Sequence, residues 1–213
     1  MKNLIIMDHP LVHCKMSLLR DKNTGNKDFR ELLTEISTMI CYEATKDAPI
    51  EETMVETPVQ TTKGSKLTKS YGIIPILRAG NGMVDGVLSL LPTAKVGHIG
   101  VFRDPDTLLP KEYFCKLPTD VEKREIFLLD PMIATGGTAK YAIDVLKNKG
   151  VERIKLLCVV TCPKGVEYIH TAHPDVSIIT AGYDVDGEDG GLNDHGYIVP
   201  GLGDAGDRIY GTQ

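Results

Sequence analysis

Phe127-Leu-Leu-Asp-Pro-Met-Ile-Ala-Thr-Gly-Gly-Thr138 is the stretch that decides the fold. An apolar run delivers an acid, Asp130, and then breaks into a Thr-Gly-Gly-Thr turn. Residues 121–129 end in consecutive apolar side chains of the kind a buried parallel strand needs. Residues 139–149 carry Ala139, Ala142, Ile143 and Leu146 at helical spacing. The spacing therefore predicts a strand-loop-helix junction. Gly136 and Gly137 permit unusual dihedrals and close approach, so N–H groups at the start of the following helix can point at an anion. Thr135 and Thr138 add hydroxyl donors. The turn is not a nucleotide P-loop, because no Gly-Lys-Ser/Thr follows the glycines, and it lacks the G-x-G-x-x-G spacing of a dinucleotide fold. A plain glycine turn after a core strand would show the same letters. The rest of the chain has to choose between the two.

A length of 213 residues suits one sizeable α/β domain, and no segment reads as a linker. Apolar residues at 42% and charged residues at 25% are an ordinary globular composition. No run of about 18 apolar residues occurs, and the N-terminal apolar stretch is too short for a signal peptide, so a cytoplasmic protein with no membrane partner is expected. A formal net charge of -5 argues against nucleic acid as a partner, which usually shows as a basic stripe. Five cysteines without a C-x-x-C pair fit reduced thiols, and Cys158 and Cys162 read as core residues. His9 and His13, and His170 and His173, lack an evident third partner for a zinc site.

Outward from the decisive stretch, residues 26–46 place Phe29, Leu32, Leu33, Ile36, Met39 and Ile40 at helical spacing. Residues 54–59 read as a short extended segment whose Pro58 suits an edge, and 63–69 as a polar turn. Tyr71-Gly-Ile-Ile-Pro-Ile-Leu77 is a second apolar strand, followed by Arg78-Ala-Gly-Asn-Gly82 and a helix over 83–91. Residues 95–102 form a third strand ending at Arg103, and 111–117 an extended arm after a polar, proline-bearing loop. A strand over 154–160, a helix over 165–172 and a strand over 176–181 complete the alternation. Such alternation predicts a mostly parallel α/β sheet with helices on both faces and a ligand site at the carboxyl ends of the strands. Arg78, Arg103 and Asp130 all sit at such ends. Any one strand-end arginine is readily a surface charge; three functional groups at one edge are harder to dismiss. Residues 182–213 are rich in glycine and aspartate, yet Tyr197-Ile-Val-Pro200 and Arg208-Ile-Tyr210 supply apolar anchors that a solvated tail would not need.

His9-Pro-Leu, Arg20-Asp-Lys-Asn-Thr-Gly25, Pro75-Ile-Leu-Arg-Ala-Gly80, Asp130-Pro-Met-Ile-Ala-Thr-Gly-Gly137 and His195-Gly-Tyr-Ile-Val-Pro-Gly-Leu-Gly-Asp-Ala-Gly-Asp207 together resemble the uracil phosphoribosyltransferases over nearly the whole chain. The last motif is the most specific, since the phosphate loop alone marks only the wider class I phosphoribosyltransferases. The resemblance implies a class I phosphoribosyltransferase fold in a single domain: a core over about 60–181, a flexible β-arm, and a C-terminal uracil-binding hood over about 182–213. It also implies pyrimidine salvage chemistry, in which a glycosyltransferase moves ribose 5-phosphate from phosphoribosyl diphosphate (PRPP) to N1 of uracil. The products are UMP and diphosphate.

On that resemblance PRPP would be held by Asp130, Pro131, Met132, Ile133, Ala134, Thr135, Gly136, Gly137 and Thr138, by Arg78 and Arg103, and by Asp204. Arg78, Arg103, Asp130 and Asp204 would be the catalytic set. Uracil would be read by main-chain groups of Ile198, Gly203, Asp204 and Ala205. Mg2+ would ride on PRPP, with sparse protein ligation. Some relatives respond to GTP, which makes GTP a candidate activator, and a homodimer or larger homo-oligomer is expected. A nucleotide-sensing regulator on the same fold is the alternative. Two departures stand out: Asn81 occupies a position where an apolar residue is expected, and 182–191 looks a few residues longer and more acidic than usual.

Overall fold

The computed structural model describes residues 3–103 and 110–212, without the side chain of Arg103. In chain order the elements are β1 (Leu4–Ile6), α1 (Pro10–Arg20), α2 (Asn26–Ala44), β2 (Ile50–Glu56), β3 (Thr61–Leu67), β4 (Tyr71–Leu77), α3 (Val84–Leu90), β5 (Lys95–Val96), β6 (His98–Arg103), β7 (Pro110–Lys116), β8 (Glu125–Leu129), β9 (Met132–Ile133), α4 (Gly137–Asn148), β10 (Ile154–Thr161), α5 (Pro163–Ala172), β11 (Ser177–Tyr183) and α6 (Ala205–Tyr210). Short 3-10 turns cover Ala79–Met83 and Val121–Lys123.

The main sheet runs β1-β11-β10-β8-β4-β6-β7, with β5 beside β4 and β9 beside β10. Every pairing is parallel except β6 with β7. β8 and most of β4 are buried, because helices cover both faces of the sheet. Successive side chains of β8 separate two cores, as strand geometry requires. Phe127 and Leu129 join α1, α2 and α3, while Ile126 and Leu128 join α4 and α5. The first core also takes in Leu192, Ile198, Leu202, Ala205 and Ile209 from the C-terminal segment.

The α/β alternation expected from the sequence is present, with differences in detail. Residues 63–69 are not a polar turn: Thr61–Leu67 pairs antiparallel with Ile50–Glu56 in a two-stranded sheet of its own. Both of its faces are largely exposed, so no apolar alternation marks it. Pro58 lies in the connecting turn, where the Thr57 hydroxyl donates to the Gln60 carbonyl. The strand expected over 95–102 is two strands broken at Gly97, where a β-carbon would come 2.8 Å from the Lys116 carbonyl oxygen. The strand expected from residue 121 begins at Glu125. The arm over 111–117 is β7; residues 104–109 lie outside the described residues.

Candidate active site

β4 and β8 are neighbours in register, Pro75 opposite Leu129, so their carboxyl ends deliver Arg78 and Asp130 to one edge. A β-carbon at Gly80 would lie 2.4 Å from the Leu129 carbonyl oxygen, and only glycine lets the Arg78 loop close over the end of β8. Beyond Asp130 the Pro131 carbonyl accepts from both Val159 and Val160, each at 3.0 Å. That pairing carries Met132 and Ile133 along β10 as β9. Gly136 then turns left-handed at φ 80 and starts α4 at Gly137. Residues 135–138 thus lie where the first N–H groups of a helix have no intrahelical acceptor.

Three side features hold this loop from behind; of these residues the sequence singled out only Cys162, and only as a core residue. The Thr161 hydroxyl donates to the Ile133 carbonyl at 2.9 Å, and the Cys162 thiol to that of Ala134 at 3.3 Å. A β-carbon at Gly165 would come 2.5 Å from the Ala134 carbonyl oxygen. The signal was there: Thr161 ends the strand adjacent to β8, so parallel topology places it beside the loop. Cys158 and Cys162 are fully buried, as expected of core residues.

Asp130 is half-buried, and its carboxylate accepts from the Met132 N–H at 3.4 Å. Burial pushes its pKa up to about 7, against the smaller opposing effect of that N–H. Arg78 is more exposed. Its guanidinium lies 3.8 Å from the Asp207 carboxylate and 5.8 Å from the centre of the Tyr210 ring. The Tyr210 hydroxyl donates to the Arg78 carbonyl at 3.0 Å, which ties the C-terminal helix to the β4 loop. Asp204 caps that helix, accepting from the Asp207 N–H at 2.9 Å. Arg103 ends β6, and its side chain lies outside the described residues.

The C-terminal segment is packed rather than loose. Ile198 and Ile209 are buried, while Tyr197 and Tyr210 stay partly exposed. Gly201 and Gly203 adopt φ of 60 and 81. A cleft of about 630 Å³ opens beside them, lined by Arg20, Lys22, Tyr197, Gly203, Asp204 and Arg208 among others. Asn81, the departure next to Arg78, is exposed in the 3-10 turn and displaces nothing from the core. The acidic 182–191 segment is tied back to α5 through a Lys164–Asp189 ion pair.

This strand order, with an acid at the end of β8 feeding a glycine turn into a helix, is that of a class I phosphoribosyltransferase. An adenine phosphoribosyltransferase from Trypanosoma brucei shares the fold at a TM-score of 0.59 and 15% identity, over 86% of this chain and 84% of that one. A solved structure from Aquifex aeolicus superimposes at a TM-score of 0.89 with 35% identity, over 99% of each chain. The family model for uracil phosphoribosyltransferase matches residues 6–212. Curated uracil phosphoribosyltransferases are similar end to end: that of Alkaliphilus oremlandii (strain OhILAs) at 56% identity, covering 100% of both chains, and that of Thermoanaerobacter sp. (strain X514) at 55%, covering 100% of this chain and 99% of its own. The chain belongs to the uracil phosphoribosyltransferase family.

Proposed function

We propose that this protein transfers ribose 5-phosphate from PRPP to N1 of uracil, using the edge formed by β4, β8 and the C-terminal hood. The observation that carries the reading is the junction at Asp130: a half-buried acid at a strand end, followed by a left-handed glycine and the open start of a helix. In a chain of this family, that junction suits one end of PRPP. Residues 135–138 hold the 5-phosphate, and Asp130 accepts from the ribose hydroxyls as a carboxylate. Arg78 and Arg103 serve the diphosphate as permanently charged donors. Asp204 supports diphosphate or its metal.

The bond from the anomeric carbon to the diphosphate oxygen breaks with its electron pair going to the leaving group. The N1 lone pair forms the new bond, and the N1 proton is released. Negative charge grows on the diphosphate and oxocarbenium character on the sugar, so cations fixed in advance opposite the diphosphate are the main catalytic contribution. Mg2+ adds to that neutralisation when it enters with PRPP. On the family resemblance such an ion would take most of its oxygens from substrate and water, with sparse protein ligation.

Uracil presents an N3–H donor between two carbonyl acceptors. A main-chain carbonyl at Ile198 facing N3 and main-chain N–H groups of Gly203, Asp204 and Ala205 facing O4 match it, whereas cytosine reverses both polarities. Sites that read hydrogen-bonding groups in this way discriminate by roughly 10⁴-fold. The test is formation of UMP and diphosphate from uracil, PRPP and Mg2+, with cytosine, orotate and hypoxanthine alongside. Faster turnover of another base, or none with uracil, would refute the reading. A turnover curve with and without GTP tests nucleotide activation, and sedimentation tests the homo-oligomer. Asp130, Arg78 and Asp204 gathered at one edge favour turnover over the nucleotide-sensing alternative.

A further inference from the structure

Arg20, the last residue of α1, meets Asp184, which follows β11, across 164 positions of sequence. The two form a forked ion pair: Nη1 to Oδ2 at 2.6 Å and Nη2 to Oδ1 at 2.7 Å. The Asp184 side chain is 7% exposed and that of Arg20 24%. Both then act on a single main-chain unit. Arg20 Nη1 donates to the Gly201 carbonyl at 2.7 Å, and Asp184 Oδ2 accepts from the Gly201 N–H at 2.9 Å.

Gly201 closes the turn that begins at Ile198. Its φ is 60, and a β-carbon there would lie 2.1 Å from the Ile198 carbonyl oxygen. The next residue is gripped from the other side: Arg208 donates to the Leu202 carbonyl at 2.8 Å and to that of Asp21 at 2.7 Å, its guanidinium 4.4 Å from the Phe29 ring centre. The Asp184 N–H in turn donates to the Thr161 carbonyl at 2.9 Å, linking the pair to the strand that backs the phosphate loop.

A buried ion pair is a poor way to gain stability, since a well-packed apolar pair often does as well or better. What a forked pair provides is fixed geometry. A base-reading surface made of main-chain groups has no rotamers to adjust, so its accuracy depends on whatever fixes the backbone. We propose that the Arg20–Asp184 pair is the positioning device of the uracil site: by holding both main-chain groups of Gly201, it sets the Ile198 carbonyl and the Gly203 to Ala205 backbone against the base. This rests on the hood being the uracil site, as proposed above.

The test measures KM for uracil and for PRPP, kcat and the thermal midpoint in wild type, Arg20→Lys, Arg20→Met, Asp184→Asn and the double variant Arg20→Met/Asp184→Leu. The single variants raise KM for uracil by roughly tenfold or more, as small misplacements of a binding group do, and leave KM for PRPP within about threefold. Arg20→Lys, which keeps the charge but not the fork, is milder than Arg20→Met. The double variant removes both charges together, so its thermal midpoint recovers toward wild type while its KM for uracil stays high. A uracil KM that recovers along with the midpoint, or both KM values rising equally, would overturn the positioning role. So would an unchanged uracil KM in any folded variant. If the single variants do not fold, the double variant decides by the same criterion. A wild-type protein that makes no UMP overturns the hood reading and this inference with it; one that makes UMP while the variants match it overturns the clamp alone.

Discussion

Asp130 shows what a buried acid at a strand end does to the protein that carries it. Its carboxyl is held neutral up to about pH 7 by burial, whereas in the unfolded chain it ionises at its ordinary, lower value. Between those two points the native state keeps a proton that the unfolded state has lost. Stability from this group is therefore full at low pH, falls as pH rises to about 7, and levels off above it. Asp130→Asn removes the titration and keeps the shape. Its thermal midpoint should match wild type near pH 4 and equal or exceed it at pH 8, by on the order of 1–3 kcal/mol in stability. Turnover should move the opposite way. Losing charge-assisted hydrogen bonds to the ribose, at about 1.5–3 kcal/mol each, lowers kcat/KM by roughly 10²-fold or more. A variant both less stable and less active would mean that Asp130 is structural. The same titration predicts a pH profile: kcat/KM for PRPP in wild type rises as pH climbs through about 7, because only the carboxylate accepts from both hydroxyls. The residual activity of Asp130→Asn should lack that rise.

At the scale of elements, the start of α5 is the back wall of the 130–138 loop proposed to hold the 5-phosphate. Gly165 lies in the first turn of that helix, where alanine would ordinarily gain about 1 kcal/mol over glycine. Here the methyl would meet the carbonyl oxygens of Ala134 at 2.5 Å and Ile133 at 2.8 Å, both main-chain atoms with no rotamer to yield. The loop has to move instead. Gly165→Ala should raise KM for PRPP by about tenfold with a smaller change for uracil, measured by steady-state kinetics beside circular dichroism to confirm the fold. Such contacts also explain what the sequence showed and what it hid. β4, β8 and β10 were legible because burial on both faces demands unbroken apolar runs, and α2 and α4 because one apolar face demands helical spacing. β3 was not, since Thr61–Leu67 buries neither face and its register comes from pairing with β2. The need for glycine at 97, where the strand breaks, depends on Lys116, a residue on another strand. Asp130 and the 135–138 turn could be read locally. The Arg20–Asp184 pair could not, because only folding brings residues 164 positions apart into contact.

For the whole molecule the question is whether the hood is an added lid or part of the core. Leu192, Ile198, Leu202 and Ile209 are each at least 95% buried and pack in the same cluster as Phe29, Leu33 and Ile36 of α2. At about 2 kcal/mol for each large apolar side chain, these four contribute roughly 8 kcal/mol, comparable with the 5–15 kcal/mol that holds a typical domain together. Arg30 adds a donor to the Ile209 carbonyl at 2.9 Å, and Tyr210 reaches the Arg78 carbonyl. A chain ending at residue 191 should therefore fail as a fold, with lost cooperative unfolding and exposed apolar surface that binds a hydrophobic dye, and should bind no PRPP. A lid would behave otherwise: the truncated chain would melt cooperatively near the wild-type midpoint and still bind PRPP, having lost only uracil. The packing favours the first outcome, since removing the hood strips one side of α2 as well as the proposed base site. Calorimetry of the truncated chain with and without PRPP separates the two, because a folded PRPP binder gains about 2.7 kcal/mol of stability at a hundredfold excess over Kd and an unfolded chain gains nothing.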